Sequence, residues 1–297
     1  MLVLTGADRD LASRPRRLLS IHAHPDDEAS KGSATVAYYA EQGVGAVLVC
    51  CTGGEAGDIL NPAMDLPDVR ANLAAIRQAE LAKSAGIIGY ERVWMLGYRD
   101  SGMPDTEANA HPDCFAQAEF AEAVERLVRI IRAERPHVIV TYPDDQRGYR
   151  HPDHLRVHDI SGPAFALAAD PHALPDAGAP WRPLKLYYST WSMARIVATH
   201  QAMVSRGIAS PYDDDWLSRP SHDHRITSRV WIGDHFDARP DSLLAHATQV
   251  DPTSPFWFGL PRDVARTVHP YDDYILARTH VPVDLPEDDL FSGVELA

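Results

Sequence analysis

Thiols are scarce in this 297-residue sequence, which has three cysteines, Cys50, Cys51 and Cys114. No pair has Cys-x-x-Cys spacing, so neither a disulfide framework nor a thiolate zinc site is expected. Cys50 and Cys51 adjoin in the apolar run 44–51, which puts them on opposite faces of a strand. Basic runs are absent as well: 28 Lys and Arg against 42 Asp and Glu give a formal charge of −14. Nucleic acid and anionic membranes both reward clustered cations, so neither is an expected partner; a small-molecule substrate is, and oligomeric state is left open. Long apolar stretches are missing too. Leu2-Val3-Leu4 is followed at once by Asp8, Arg9 and Asp10, so neither a signal peptide nor a membrane span is read there and the cytoplasm is the expected compartment.

What is plentiful is histidine. Fifteen occur, several beside Asp or Pro, which directs attention to metal and acid–base chemistry. Around them, short apolar runs alternate with helical patterns. Strands are expected over 18–23, 44–51, 92–96 and 137–142, and helices over 27–42, 68–85, 115–134 and 153–169, with Gly43 and Gly86 as stops. Beyond 169 the pattern weakens: a Pro- and Ala-rich connection over 171–183, strands over 184–190 and 226–232, and a helix over 193–206. The alternation predicts an α/β, Rossmann-like fold, a largely parallel sheet with helices on both faces. The expected organisation is an N-terminal extension over 1–16 and one catalytic domain over 17–297, with 171–297 as a C-terminal elaboration closing over the site.

In such sheets function collects beyond the carboxyl ends of the strands. Two similar segments fall there: His24-Pro25-Asp26-Asp27 after the first strand and His151-Pro152-Asp153-His154 after the fourth. Either alone can be a turn in which Pro fixes φ and Asp caps a helix. Two at one sheet edge point to a site. A catalytic zinc takes three His or carboxylate ligands and leaves one position open. His24 and Asp27, three residues apart across a tight loop, supply two, and His154 is the natural third. Asp26 is then free to take a proton from water and His151 to protonate a leaving amine, with Asp153 holding the His151 imidazole cationic. Two His and one carboxylate suit Fe(II) as well as Zn(II).

His22-Ala23-His24-Pro25-Asp26-Asp27-Glu28 and Gly148-Tyr149-Arg150-His151-Pro152-Asp153-His154 resemble the signatures of the LmbE-like, N-acetylglucosaminyl-phosphatidylinositol de-N-acetylase family of zinc amidases and deacetylases. The resemblance implies zinc on His24, Asp27 and His154, Asp26 as general base, His151 as general acid and Tyr149 as an oxyanion donor. Further segments, most specifically 61–68, resemble the branch that cleaves the glucosamine–cysteine amide of mycothiol S-conjugates in thiol-based detoxification. A sister branch deacetylates N-acetylglucosaminyl-inositol. From this branch Lys31 is implied near the acyl part of the substrate, and Arg77, Asp58 and Asp100 near the sugar and inositol. His246 either faces the site from the C-terminal region or has a capping or core role. For Arg77 the competing reading is an i,i+3 surface ion pair with Glu80. Departures from the branch are Ala56 in place of Arg, Asp58 in place of Glu, and the added cations Arg147 and Arg150, which bear on the substrate and on the His151 pKa; with the chemistry unchanged, a role in antibiotic maturation is an alternative.

Overall fold

The computed structural model describes residues 14–145 and 149–295 and the backbone of 2–5; Arg147 and Gly148 lie outside the described residues. Eight strands form one sheet: β1 (Leu2–Thr5), β2 (Arg17–His22), β3 (Gly45–Thr52), β4 (Arg92–Tyr98), β5 (Val138–Thr141), β6 (Lys185–Thr190), β7 (Ser228–Trp231) and β8 (Tyr271–Thr279). Their spatial order is β1-β4-β3-β2-β5-β6-β8-β7. The five strands from β4 to β6 are parallel, whereas β1, β8 and β7 join antiparallel. Because β2, β3 and β4 run outward one way and β5 returns to the other side of β2, the strand order reverses between β2 and β5. Diverging loops open a crevice at that point.

The parallel strands are apolar on both faces because helices cover both. One core packs Leu19, Ile21, Val49 and Cys51 against the helices Phe120–Glu134 and Pro152–Ala169. The other packs Leu18, Leu48 and Cys50 against Val36, Leu81 and Ile88. Cys50 and Cys51 therefore take opposite faces, and both are free thiols. The 171–183 connection is tied down by buried Arg132, whose guanidinium donates to the carbonyls of Asp170, Ala173, Leu174 and Gly178, among others.

Several element boundaries differ from expectation. The first expected helix is two, Asp27–Ser30 and Ser33–Glu41, broken at Lys31-Gly32. Gly32 has φ +86°, and a Cβ there would meet the Tyr274 hydroxyl at 2.9 Å. The second is also split, into Pro67–Ala71 and Leu73–Ile88, and it is Gly89 (φ +97°), not Gly86, that ends it. The expected helix over 115–134 begins as a 3₁₀ turn, Phe115–Gln117, and restarts at Phe120 under a Glu119 cap. Within 1–16, Leu2–Thr5 pairs with β4. Strand β8 was not expected at all: its Asp272 and Asp273 break the apolar pattern, yet both are buried, paired with Arg239 and Arg229. The C-terminal third thus extends the sheet as well as covering the crevice. No helix among the described residues is long and apolar enough to cross a membrane.

Candidate active site

At the crevice, β2 runs into Pro25 and a sharp turn. Asp26 takes φ +114°, a strained conformation for a residue with a side chain, and its carbonyl accepts from Ala29 and Ser30 to start the next helix. That turn presents Asp27 toward β5, where His151 caps the helix Pro152–Ala169 and His154 follows in its first turn. His24, Asp27 and His154 are buried, and one donor atom from each lies within 4.8 Å of the others. Asp27 Oδ2 is 3.3 Å from His24 Nδ1 and 3.3 Å from His154 Nε2. Zinc with bonds of about 2.0–2.1 Å makes a tetrahedron whose edge is about 3.3–3.4 Å. The donor set and its spacing therefore fit the ion.

The other nitrogen of His24 faces a second carboxylate layer. Nε2 is 3.1 Å from Asp153 Oδ2 and 3.5 Å from Asp100 Oδ1. A metal-ligating imidazole commonly donates its second N–H to such a carboxylate. His24, Asp100, His151 and Asp153 also form a cluster with metal-ligand spacing. Its carboxylates are engaged: Asp153 accepts from the Ser101 backbone N–H and hydroxyl, and Asp100 from the N–H groups of Gly102 and Ala56. Without a metal, burial alone would lower the His24 pKa, but hydrogen bonds to Asp100, Asp153 and Asp27 raise it well above the usual 6.5.

Asp26 lies beside the trio, its side chain about 31% exposed and 3.2 Å from the Arg77 guanidinium. Burial raises its pKa to about 6 against the opposing pull of Arg77. Arg77 itself is buried and also donates to the carbonyls of Gly54 and Pro25. It makes no pair with Glu80, which instead accepts from the backbone and hydroxyl of Thr248.

The charge of Asp153 raises the His151 pKa, but its carboxylate bonds go elsewhere. Its carboxylate bonds His24 and Ser101, while its backbone N–H donates to His151 Nδ1 at 3.2 Å. In the neutral ring that bond leaves the proton on Nε2. Burial and the charge of His24 lower the His151 pKa against the opposing pull of Asp153 and Asp100. Tyr149 is 55% exposed, with its ring centroid 6.0 Å from that of His151 and 5.4 Å from that of His154. Burial of its hydroxyl raises the phenol pKa, which keeps it a donor.

His24, Asp26, Asp27, Tyr149, His151 and His154 line one cleft of about 470 Å³, joined by Lys31, Arg77 and Asp100. Lys31 Nζ reaches Asp27 Oδ1 at 2.5 Å and lies 5.3 Å from the Tyr142 ring centroid. Two expected residues stand elsewhere. Asp58 is exposed and meets the core only through its carbonyl, which accepts from Gln249. His246 is fully buried behind the site, its Nε2 2.6 Å from Glu28 Oε1. Glu28 in turn accepts from the Asp26 N–H and the Ser84 hydroxyl, and the charges of His246 and Asp26 also act on each other. Cleft residues that sequence patterns did not flag are Gln249, Trp191, Trp216, Phe256 and Trp257. The aromatic four come from three separate segments and share no spacing, and Gln249 lies three residues beyond His246.

Residues 19–165 match the family described as GlcNAc-PI de-N-acetylase (PIG-L). The chain is 42% identical over 288 residues to the mycothiol S-conjugate amidase of Streptomyces coelicolor, covering 94% of this chain and 97% of that protein. It is 40% identical over 263 residues to the 1D-myo-inositol 2-acetamido-2-deoxy-alpha-D-glucopyranoside deacetylase of Thermobispora bispora, covering 85% of each. Among solved structures, the N,N'-diacetylchitobiose deacetylase of Pyrococcus horikoshii superposes with a TM-score of 0.58 at 18% identity, over 90% of this chain and 86% of that one. The hydratase GalB of Pseudomonas putida gives 0.60 at 16%, over 91% and 99%. A hydratase and a deacetylase alike in this way speak to the fold alone. With the motifs in place at the switch point of the sheet and relatives matched over nearly its whole length, the chain belongs to the GlcNAc-PI de-N-acetylase (PIG-L, LmbE-like) family and is a hydrolase of amide bonds.

Proposed function

We propose that this protein is a zinc-dependent amidase that cleaves the glucosamine–cysteine amide of mycothiol S-conjugates, releasing a mercapturic acid and glucosaminyl-inositol. The observation that carries the reading is the 42% identity, over 94% of the chain, to a protein of that name. The cleft supports it. Lys31 places a cation at the metal trio, and the lining extends well beyond what an acetyl group would touch.

His24, Asp27 and His154 would hold the ion, with Asp153 orienting His24 from behind. When bound, zinc supplies Lewis acidity, which polarises the amide carbonyl and makes a water acidic near neutral pH; Fe(II) would serve the same donors in the cell. Asp26 accepts the proton of the attacking water on its carboxylate. Its carboxyl is rigidly placed by Arg77, and its backbone N–H by Glu28. His151, as the imidazolium, would give a proton to the departing amine nitrogen and return to the neutral ring. The Tyr149 hydroxyl donates to the carbonyl oxygen as charge grows there, a contribution that preorganised donors make at no reorganisation cost in the transition state. Arg77 and Asp100 take the hydroxyl-rich sugar–inositol half, since carboxylates and guanidinium pair well with polyols.

A second reading, deacetylation of N-acetylglucosaminyl-inositol, is favoured by the 40% identity to a deacetylase of that linkage. Side-by-side assay of zinc-loaded protein on the bimane conjugate of mycothiol and on N-acetylglucosaminyl-inositol separates them. The amidase reading expects a higher kcat/KM for the conjugate; faster turnover of the acetylated sugar overturns it.

A further inference from the structure

The two ends of the cleft are unlike. Loops after β3 and β4 supply its polar end, with Asp100 beyond β4 and Arg77 from the helix Leu73–Ile88 that follows β3. The metal trio comes from β2 and β5 in the middle of the sheet. Past it, on the far side of β5, the loop after β6 brings in Trp191, and Trp216, Phe256 and Trp257 complete that wall. Neighbouring strands are about 4.8 Å apart. The order β4-β3-β2-β5-β6 therefore sets the polyol-binding groups and the aromatic wall on opposite sides of the scissile bond.

This wall is built and held. Trp191 stacks on Phe256 at 5.8 Å with 17° between planes, and Trp257 meets Trp191 edge-on at 88°. The Arg195 guanidinium lies 4.2 Å from the Trp191 centroid, and that of Arg219 lies 3.9 Å from Trp216. Behind them Ile196, Met193 and Tyr212 form a small core. Yet all four aromatic residues stay only half-buried, and each keeps part of its surface on the cleft. Rings fixed by packing, with apolar surface left facing a site, favour a flat apolar group over a hydroxylated one.

We propose that the β6 end of the cleft is a subsite for an aromatic ring carried on the acyl side of the scissile amide, with Trp191 and Trp216 as its specificity-determining residues. The inference rests on the amidase reading for the identity of the acyl half. It makes the thiol's substituent, rather than the sugar, the part of the substrate that this wall selects.

The test uses the zinc-loaded full chain and two acyl-half probes, N-acetyl-S-benzylcysteine and N-acetyl-S-methylcysteine, titrated calorimetrically. The benzyl thioether is expected to bind at least tenfold more tightly to the native protein. That preference falls to less than threefold in Trp191→Ala and in Trp216→Leu, and Trp191→Phe restores most of it. Equal affinity of the two probes in the native protein overturns the proposal, as does a preference that survives both truncations. If Trp191→Ala weakens glucosaminyl-inositol instead of the benzyl probe, the wall seats the sugar and the proposal falls. Kinetics with S-benzyl and S-methyl conjugates of mycothiol keep the two ideas apart. Turnover of both conjugates without preference sinks the subsite and leaves the amidase reading intact. Probe preference with no hydrolysis of either conjugate sinks the amidase reading and leaves the subsite.

Discussion

The polar and aromatic ends of this cleft are held by different forces. From the metal trio to the polar end the carboxylates are hydrogen-bonded or ion-paired: Asp100 to two backbone N–H groups, Asp153 behind the cleft to Ser101 and His24, Asp26 to Arg77. At the other, aromatic rings hold one another by stacking and edge contacts under two guanidinium groups. Directional bonds fix atoms to the tolerance that proton transfer needs. Apolar packing fixes a surface but tolerates many shapes of guest. The molecule thus keeps reaction and selection apart: chemistry resides where electrostatics is specified group by group, and substrate range where it is not.

Variants at the polar end should break function steeply. The largest effect is expected of Asp26→Asn, which keeps the shape and removes the proton acceptor. Its kcat should drop by about 10²–10⁴-fold with zinc content unchanged, since that is the usual contribution of a positioned base. Loss of zinc along with activity would instead place Asp26 among the metal ligands.

Next is the buried pair behind Asp26. Removing one partner of such a pair costs about 3–5 kcal/mol, because the other charge is left buried alone. His246→Ala should therefore lower the melting temperature strongly. Burial lowers the His246 pKa but Glu28 raises it further, for a net rise above the ordinary 6.5, so its stabilisation is complete below that value and is lost as pH climbs through the folded-state pKa. For Glu28, burial is outweighed by His246 and the value falls below 4.5, so its share is present above 4.5 and is lost as pH falls through the folded-state pKa. Thermal melts from pH 5 to 9 should show a falling alkaline limb that is flatter in the variant. An identical slope in both would assign that limb to other groups.

The smallest effect sharpens the comparison most. Arg77 opposes the burial that raises the Asp26 pKa to about 6. Arg77→Gln should move the acid limb of the kcat/KM profile to higher pH. A limb that stays in place would detach Asp26 from that limb, whereas Trp216→Leu, at the other end, should leave its position unchanged.

The polar end was legible in sequence because its parts are local. His24-Pro25-Asp26-Asp27 and His151-Pro152-Asp153-His154 each put their groups within four residues, and alternating strands and helices located both at one sheet edge. The partnerships were not legible, because they are made across the fold. The Asp153 carboxylate bonds His24 across the fold, while its backbone N–H donates to His151. His246 answers Glu28, and the Tyr274 hydroxyl leaves no room for a Cβ at Gly32, from a strand disguised by two buried aspartates. The aromatic wall left no trace for the same reason: Trp191, Trp216 and Phe256 come from different segments, and only the fold gives them a common face.

The central claim is that His24, Asp27 and His154, rather than the neighbouring cluster of His24, Asp100, His151 and Asp153, hold the catalytic ion. Equilibrium zinc binding to the apoprotein tests it directly, because the two clusters share His24 and differ elsewhere. The account predicts one tightly bound zinc per chain in the native protein and in His151→Ala, and its loss in Asp27→Ala and His154→Ala. Zinc retained in Asp27→Ala but lost in His151→Ala would contradict it.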